Sequence, residues 1–199
     1  MADMEKTGKN LEGRGFRVHR FATGAEAADY LVQTLHGTSI GIGGSVTIDT
    51  LGVYDRLCGS NEVFWHWKNH APETRERAGK AETYLCSANG VSENGEIVNI
   101  DGFGNRVAGT IYGPERVFLV VGRNKIAPDL TGAIDRARNI AAPLNARRLN
   151  RHTPCAVGEP RCRDCRSPEK VCGVMTVFFM PPTSIKEFHV ILVNEDLGY

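Results

Sequence analysis

Cys155, Cys162, Cys165 and Cys172 fall within eighteen residues at the spacing C-x6-C-x2-C-x6-C. Thiolates at that density are metal ligands or redox partners. The central pair, Cys162 and Cys165, can place two sulfurs on one ion or cluster, and the flanking pair is near enough in sequence to complete a four-sulfur shell. Structural zinc is usually held by two short knuckles, whereas one is present here between symmetric six-residue arms, which leans toward a [4Fe-4S] cluster with zinc as the alternative. Arg161, Arg163, Arg166 and Lys170 surround the cysteines. Their charge lowers thiolate pKa and offsets the charge of a cluster, and it suits a zinc tetrathiolate equally. A reducible dithiol, or inert thiols, would explain the same residues without metal. Cys58 and Cys86 lie far from this segment and read as small buried hydrophobes.

A second chemistry is available at the turn Gly41-Ile42-Gly43-Gly44-Ser45, between a short apolar run and a helical repeat. A glycine turn there aims backbone amides at an anion, with Ser45 and Thr47 adding hydroxyls; tight-turn geometry explains the same glycines without any ligand. The turn lacks the third glycine of a dinucleotide fingerprint and the lysine of a Walker loop, so neither NAD nor ATP follows from it. Asp101, Asn105 and Arg106 occupy a glycine-rich loop after another strand, and Asn124 and Lys125 follow a third. Arg106 could clamp a carboxylate and Lys125 could serve as anion partner or general acid/base. The competing readings are that Asp101 and Asn105 only fold their turn and that Lys125 is solvated. The six histidines form no zinc triad, and Trp65 and Trp67 read as core or interface residues.

The elements that must carry these groups alternate. Phe16 to Phe21 reads as a strand, Thr23 and Glu26 as a capping box opening a helix to Gly37, and Ser39 to Ile42 as a short buried strand. Val63 to Trp67 and Thr83 to Ser87 are further strands, with a surface helix from Ala71 to Lys80 between them. Glu93-Asn94-Gly95 is a hairpin turn leading to the strand Glu96 to Ile100. Val117 to Val121, wholly apolar, belongs in a sheet centre covered on both faces. Leu130, Ile134, Ala137, Ala141 and Leu144 repeat as one long amphipathic helix that Pro143 kinks or ends. After the cysteines, Met175 to Met180 and His189 to Val193 are the last strands. The pattern predicts an α/β open sheet, mostly parallel and mixed by the hairpin, with helices on both faces. One domain over 1–199 accommodates it, with the cysteine-rich insertion at about 152–174.

Lys plus Arg number 24 against 23 Asp plus Glu, so no global charge calls for nucleic acid or an anionic membrane. The sequence opens without an apolar leader, and no run approaches membrane-spanning length. A cytoplasmic protein is the expectation, where structural disulfides are rare.

The glycine turn, together with Asn99-Ile-Asp101-Gly102-Phe-Gly104-Asn105-Arg106, Val120-Val-Gly-Arg-Asn124-Lys125-Ile, Asn139-Ile-Ala-Ala-Pro143-Leu-Asn145-Ala and the Cys162 to Cys172 segment, resembles the LUD domain, the lactate utilisation protein family. The resemblance runs from about Phe16 to Leu197. It implies a three-layer Rossmann-like fold similar to the sugar-phosphate isomerase and CoA-transferase superfamily. It also implies a link to oxidation of L-lactate alongside iron-sulfur partner proteins, and it supplies no catalytic residue. The resulting expectation is a redox accessory in lactate or 2-hydroxy-acid use, binding a small anionic ligand and carrying an iron-sulfur or zinc site. The alternatives are an isomerase- or CoA-transferase-like enzyme and a small-anion sensor, each with a structural zinc clip. A homo-oligomer is compatible with the sequence.

Overall fold

The computed structural model describes residues 3–199. The chain begins with a helix that periodicity from Phe16 onward does not reveal: α1 (Met4–Gly13), capped by the Asp3 side chain, which accepts from the Lys6 amide. The strand β1 (Arg17–Phe21) follows, then α2 (Gly24–Thr34), whose Thr23/Glu26 capping box is fully formed. Next come β2 (Ser39–Ile42), the short α3 (Val46–Leu51) and α4 (Tyr54–Cys58), and β3 (Glu62–Trp65). The surface helix expected from Ala71 is shorter, α5 (Thr74–Gly79), because the chain around Pro72 is spent on a turn. Then come β4 (Thr83–Ser87), β5 (Gly90–Ser92), β6 (Ile97–Asp101), α6 (Asn105–Ile111) and β7 (Arg116–Gly122).

A single 3-10 turn, Arg123–Lys125, leads into β8 (Ile126–Ala127). The long helix predicted from Leu130 is three segments: α7 (Leu130–Arg136), a π turn over Ala137–Ala141, and α8 (Ala142–Arg148). Pro143 lacks an amide hydrogen and its ring crowds the carbonyl four residues back, so widening the preceding turn relieves the clash without ending the helix. After α9 (Pro154–Val157) the cysteine segment runs without regular structure to β9 (Val174–Phe178), and β10 (Glu187–Val193) closes the fold.

The main sheet has six strands in the order β1-β10-β7-β4-β2-β3, every pairing parallel. The hairpin of β5 and β6 belongs to a second, four-stranded sheet, β8-β5-β6-β9, so the antiparallel pairs lie there. Period-2 alternation divides the core. In β7, Phe118 and Val120 face one apolar layer, and Val117, Leu119 and Val121 face the other. That is why the run is apolar throughout. A third cluster, of Val98, Ile100 and the alanines of α7 and the π turn, lies beneath the second sheet. Among the described residues no helix is long and apolar enough to cross a membrane.

The parallel order places the ends of β2, β4 and β7 side by side. From β2 the chain moves outward to β3, and from β4 it moves the other way to β7, so a crevice opens where the two directions part. The close fit of α5 on β2 depends on Gly41: a Cβ there would stand 1.9 Å from the Ala78 carbonyl oxygen. Gly41→Ala is therefore expected to destabilise the protein by at least about 2 kcal/mol, through forced separation of helix and strand. Denaturant unfolding checks this, and a midpoint equal to that of the parent would contradict the packing.

Candidate functional site

Beyond the carboxyl ends of β2, β4, β6 and β7 lies a cleft of about 860 Å³. Of the anticipated residues, Gly44, Ser45, Thr47, Asp101, Asn105, Arg106 and Lys125 all line it. Gly43 and Asn124 do not. A Cβ on Gly43 would come within 2.9 Å of the Tyr84 hydroxyl and 3.1 Å of Arg106 Cγ, and its amide donates to Leu85 O at 3.2 Å, so this glycine serves close packing. Asn124 pins the C-terminal tail: its amide nitrogen donates to Gly198 O at 3.1 Å, and its Oδ1 accepts from the Leu197 amide at 3.1 Å. Ser45 caps the six-residue α3, its hydroxyl accepting from the Ile48 amide.

Asp101 is committed to local structure. Its Oδ2 accepts from the Arg106 and Val107 amides at 3.0 and 3.2 Å and so starts α6, after a left-handed Gly104 at φ 96°. Arg106 then turns back under the cleft, donating to Asn89 Oδ1 at 2.7 Å, to Ser87 O at 3.4 Å and, closely, to Ile100 O. Its partners are an amide and two carbonyls, and among the described residues its guanidinium forms no salt bridge to a carboxylate.

Lys125, read as a solvated group or an anion partner, is 2% exposed. Its Nζ donates to Thr47 Oγ1 at 2.7 Å and to Ser87 Oγ at 2.8 Å. Burial, then the neighbouring Arg136 and Arg106 guanidiniums, hold it well below the usual 10.5. Arg136 is an interior group that the helical pattern of α7 does not announce. It donates to Asn124 O at 2.7 Å and to Asn89 O, and burial draws its pKa down to about 10.

The walls add charge and aromatic rings. Arg148 lies 4.5 Å over the Trp67 ring and donates to the Tyr199 hydroxyl at 2.7 Å, and Arg75 lies 4.9 Å over the exposed Phe103. His66 lines the cleft with a buried Nδ1 that has no hydrogen-bond partner among the described residues, and burial lowers its pKa. Seven Lys and Arg side chains face the cleft against three carboxylates. Of those three, Asp49 pairs with Lys68 at 3.0 Å, Asp101 caps α6, and Glu169 accepts from the His152 amide. The net field inside is positive.

The cysteine segment forms the neighbouring wall. Cys155, Cys162, Cys165 and Cys172 line one cavity of about 340 Å³, and Ile100, Lys170 and Val171 border both spaces. Val171 lies so close to the cleft loop that a Cβ on Gly102 would fall 2.8 Å from its Cα. All four thiols are free. Asp164, left-handed at φ 48°, turns the chain between the central pair, and its amide donates to Cys162 Sγ at 3.4 Å. The π turn holds the loop from below: Asn139 Oδ1 accepts from the Cys162 amide at 3.1 Å, and Arg138 reaches Cys162 Sγ at 3.7 Å and Asp164 at 3.0 Å. Lys170 donates to Cys165 O at 3.3 Å. Burial raises the Cys172 thiol. Among the described residues no group of three or more His, Cys, Asp or Glu is placed to hold a metal ion. Of the two remote cysteines, Cys86 is buried, its thiol pushed up to about 12 by burial, whereas Cys58 is exposed at the end of α4, contrary to its reading as buried.

The LUD domain family matches residues 4–193. A solved structure of a DUF162 family protein from Deinococcus radiodurans superposes with a TM-score of 0.56 at 14% identity, covering 96% of this chain and 95% of that one. At that identity the likeness establishes the fold. No curated protein matches.

Proposed function

Since the chain belongs to the LUD domain family, we propose that it binds a small organic anion in the cationic cleft beside a four-thiolate iron-sulfur site. On this reading it acts as a redox accessory in the use of lactate or a related 2-hydroxy acid. The observation that carries it is the wall of Ile100, Lys170 and Val171, with four free thiols on one side and a cleft richer in cations than in carboxylates on the other.

The donor set suits a cluster. A zinc tetrathiolate, with Zn–S near 2.3 Å, needs its sulfurs within about 4 Å of one another. An iron-sulfur core is several atoms wide and takes its thiolates from around a larger space, and the four cysteines line one cavity. The Asp164 amide and the Arg138 guanidinium both donate toward Cys162 Sγ, the kind of contact a metal-bound sulfur accepts. When bound, such a cluster supplies one-electron transfer.

The residues of the cleft act on the anion. Arg106, fixed by three acceptors, presents a charge that needs no reorganisation when a carboxylate arrives. Arg148, which donates to the Tyr199 hydroxyl, lines the same cleft as Lys170. Anaerobic purification tests the reading: iron and labile sulfide in stoichiometric amount, with a visible charge-transfer band, are expected. A colourless protein carrying one zinc would overturn the redox role and leave the segment a structural clip.

A further inference from the structure

Lys125 is a buried ionisable group that no opposite charge answers. The ionisable neighbours acting on it are the Arg136 and Arg106 guanidiniums and the buried Cys86 thiol, and none of these is a carboxylate. Its two partners are hydroxyls whose own hydrogens are spent elsewhere. Thr47 Oγ1 donates to Leu197 O at 3.2 Å and Ser87 Oγ to Val120 O at 2.6 Å. A hydroxyl has one hydrogen, so both must accept from Nζ. A neutral amine has two N–H bonds and one lone pair, whereas an ammonium has three N–H bonds and no lone pair. The two acceptors account for both hydrogens of the neutral form. The third position on Nζ has no partner among the described residues, and Lys125 lines the cleft.

We propose that Lys125 is a catalytic nucleophile that forms an imine with a small carbonyl compound bearing an anionic group. The inference rests on the anion-binding reading of the cleft and names the substrate class. In the step, the Nζ lone pair attacks the carbonyl carbon to form a C–N bond, and the carbonyl oxygen takes up a proton to give a carbinolamine. The C–O bond then breaks, the oxygen departs as water with both former amine hydrogens, and a C=N bond remains. Atoms balance without any oxidant or reductant. Thr47 and Ser87 hold the two hydrogens that must leave and are the nearest groups to relay them. Burial beside two guanidiniums disfavours the ammonium and so favours the nucleophilic amine, as in other desolvated lysines beside cationic groups. The positive field that opposes an ammonium favours the substrate's carboxylate or phosphate. Both demands meet in an anionic carbonyl compound.

The test is reductive trapping at pH 7. Protein is incubated with pyruvate, or in a parallel arm with ribose 5-phosphate, borohydride is added, and the modified peptide is mapped. Labelling at Lys125 is expected to exceed that at any other lysine by about tenfold or more, since among the described lysines it is the buried one. Preference between the two arms identifies whether the anionic group is carboxylate or phosphate. Labelling spread evenly over surface lysines, or unchanged in total in Lys125→Arg, would overturn the proposal. Calorimetry on the same samples separates the two levels. Anion binding without trapping removes the imine alone, whereas no binding of either compound removes the anion cleft on which it rests. Because the peptide map is made on the parent protein, the result does not depend on the variant folding.

Discussion

Cys165→Ser is expected to lose the bound metal almost completely while the two sheets stay folded. One serine oxygen is a poor replacement for a thiolate on a soft centre, and the remaining sulfurs cannot close the shell because Cys155 and Cys172 approach from opposite arms of the loop. The consequence is confined because the segment from Gly158 to Gly173 contributes no strand to either sheet. Far-ultraviolet dichroism and the unfolding midpoint should therefore stay near those of the metal-free parent, while iron and sulfide fall below a tenth of the parent's content, on the order of the loss of one essential ligand. Arg138→Ala removes only a guanidinium near Cys162 and should weaken retention without abolishing it. Full metal content in Cys165→Ser would refute a shared centre.

Arg106→Ala is expected to lower affinity for lactate or pyruvate by about 10- to 100-fold, the worth of one hydrogen bond to a charged partner. Arg106 sits where the loop after β6 meets the end of β4, so its removal also leaves Ser87 O and Ile100 O without this donor. The melting temperature is followed in parallel for that reason. Arg75→Ala provides the contrast: this rim arginine stacks on an exposed ring, and its loss should change affinity by less than about threefold. Calorimetry decides between them, and equal heats in parent and Arg106→Ala would show that the anion does not use this guanidinium.

Much of the frame is legible in the sequence because its signals are local. The apolar β7 run, the Thr23/Glu26 capping box and the glycine turn after β2 each announce themselves within a few residues. The π turn is not legible, since Ala137 and Ala141 continue a helical repeat and only the packing around Pro143 widens it. The second sheet is hidden for a different reason: β5 and β8 are three and two residues long, too short for periodicity to show. Within the site, the loops holding Arg106 and Lys125 could be found because each follows a recognisable strand. Ser87, Asn89 and Arg136 could not. Their roles depend on β4 lying between β2 and β7 and on α7 packing against β5 and β8, and strand order is not written in the spacing of any one segment.

On the proposed reading the cleft and the cysteine cavity work as neighbours across Ile100, Lys170 and Val171. The most direct measurement is the visible or electron paramagnetic resonance spectrum of the anaerobically metal-loaded protein, titrated with lactate and with pyruvate. A saturable change is expected, with a midpoint equal to the calorimetric Kd and absent in Arg106→Ala. A spectrum that stays constant while calorimetry records full occupancy of the cleft would contradict it.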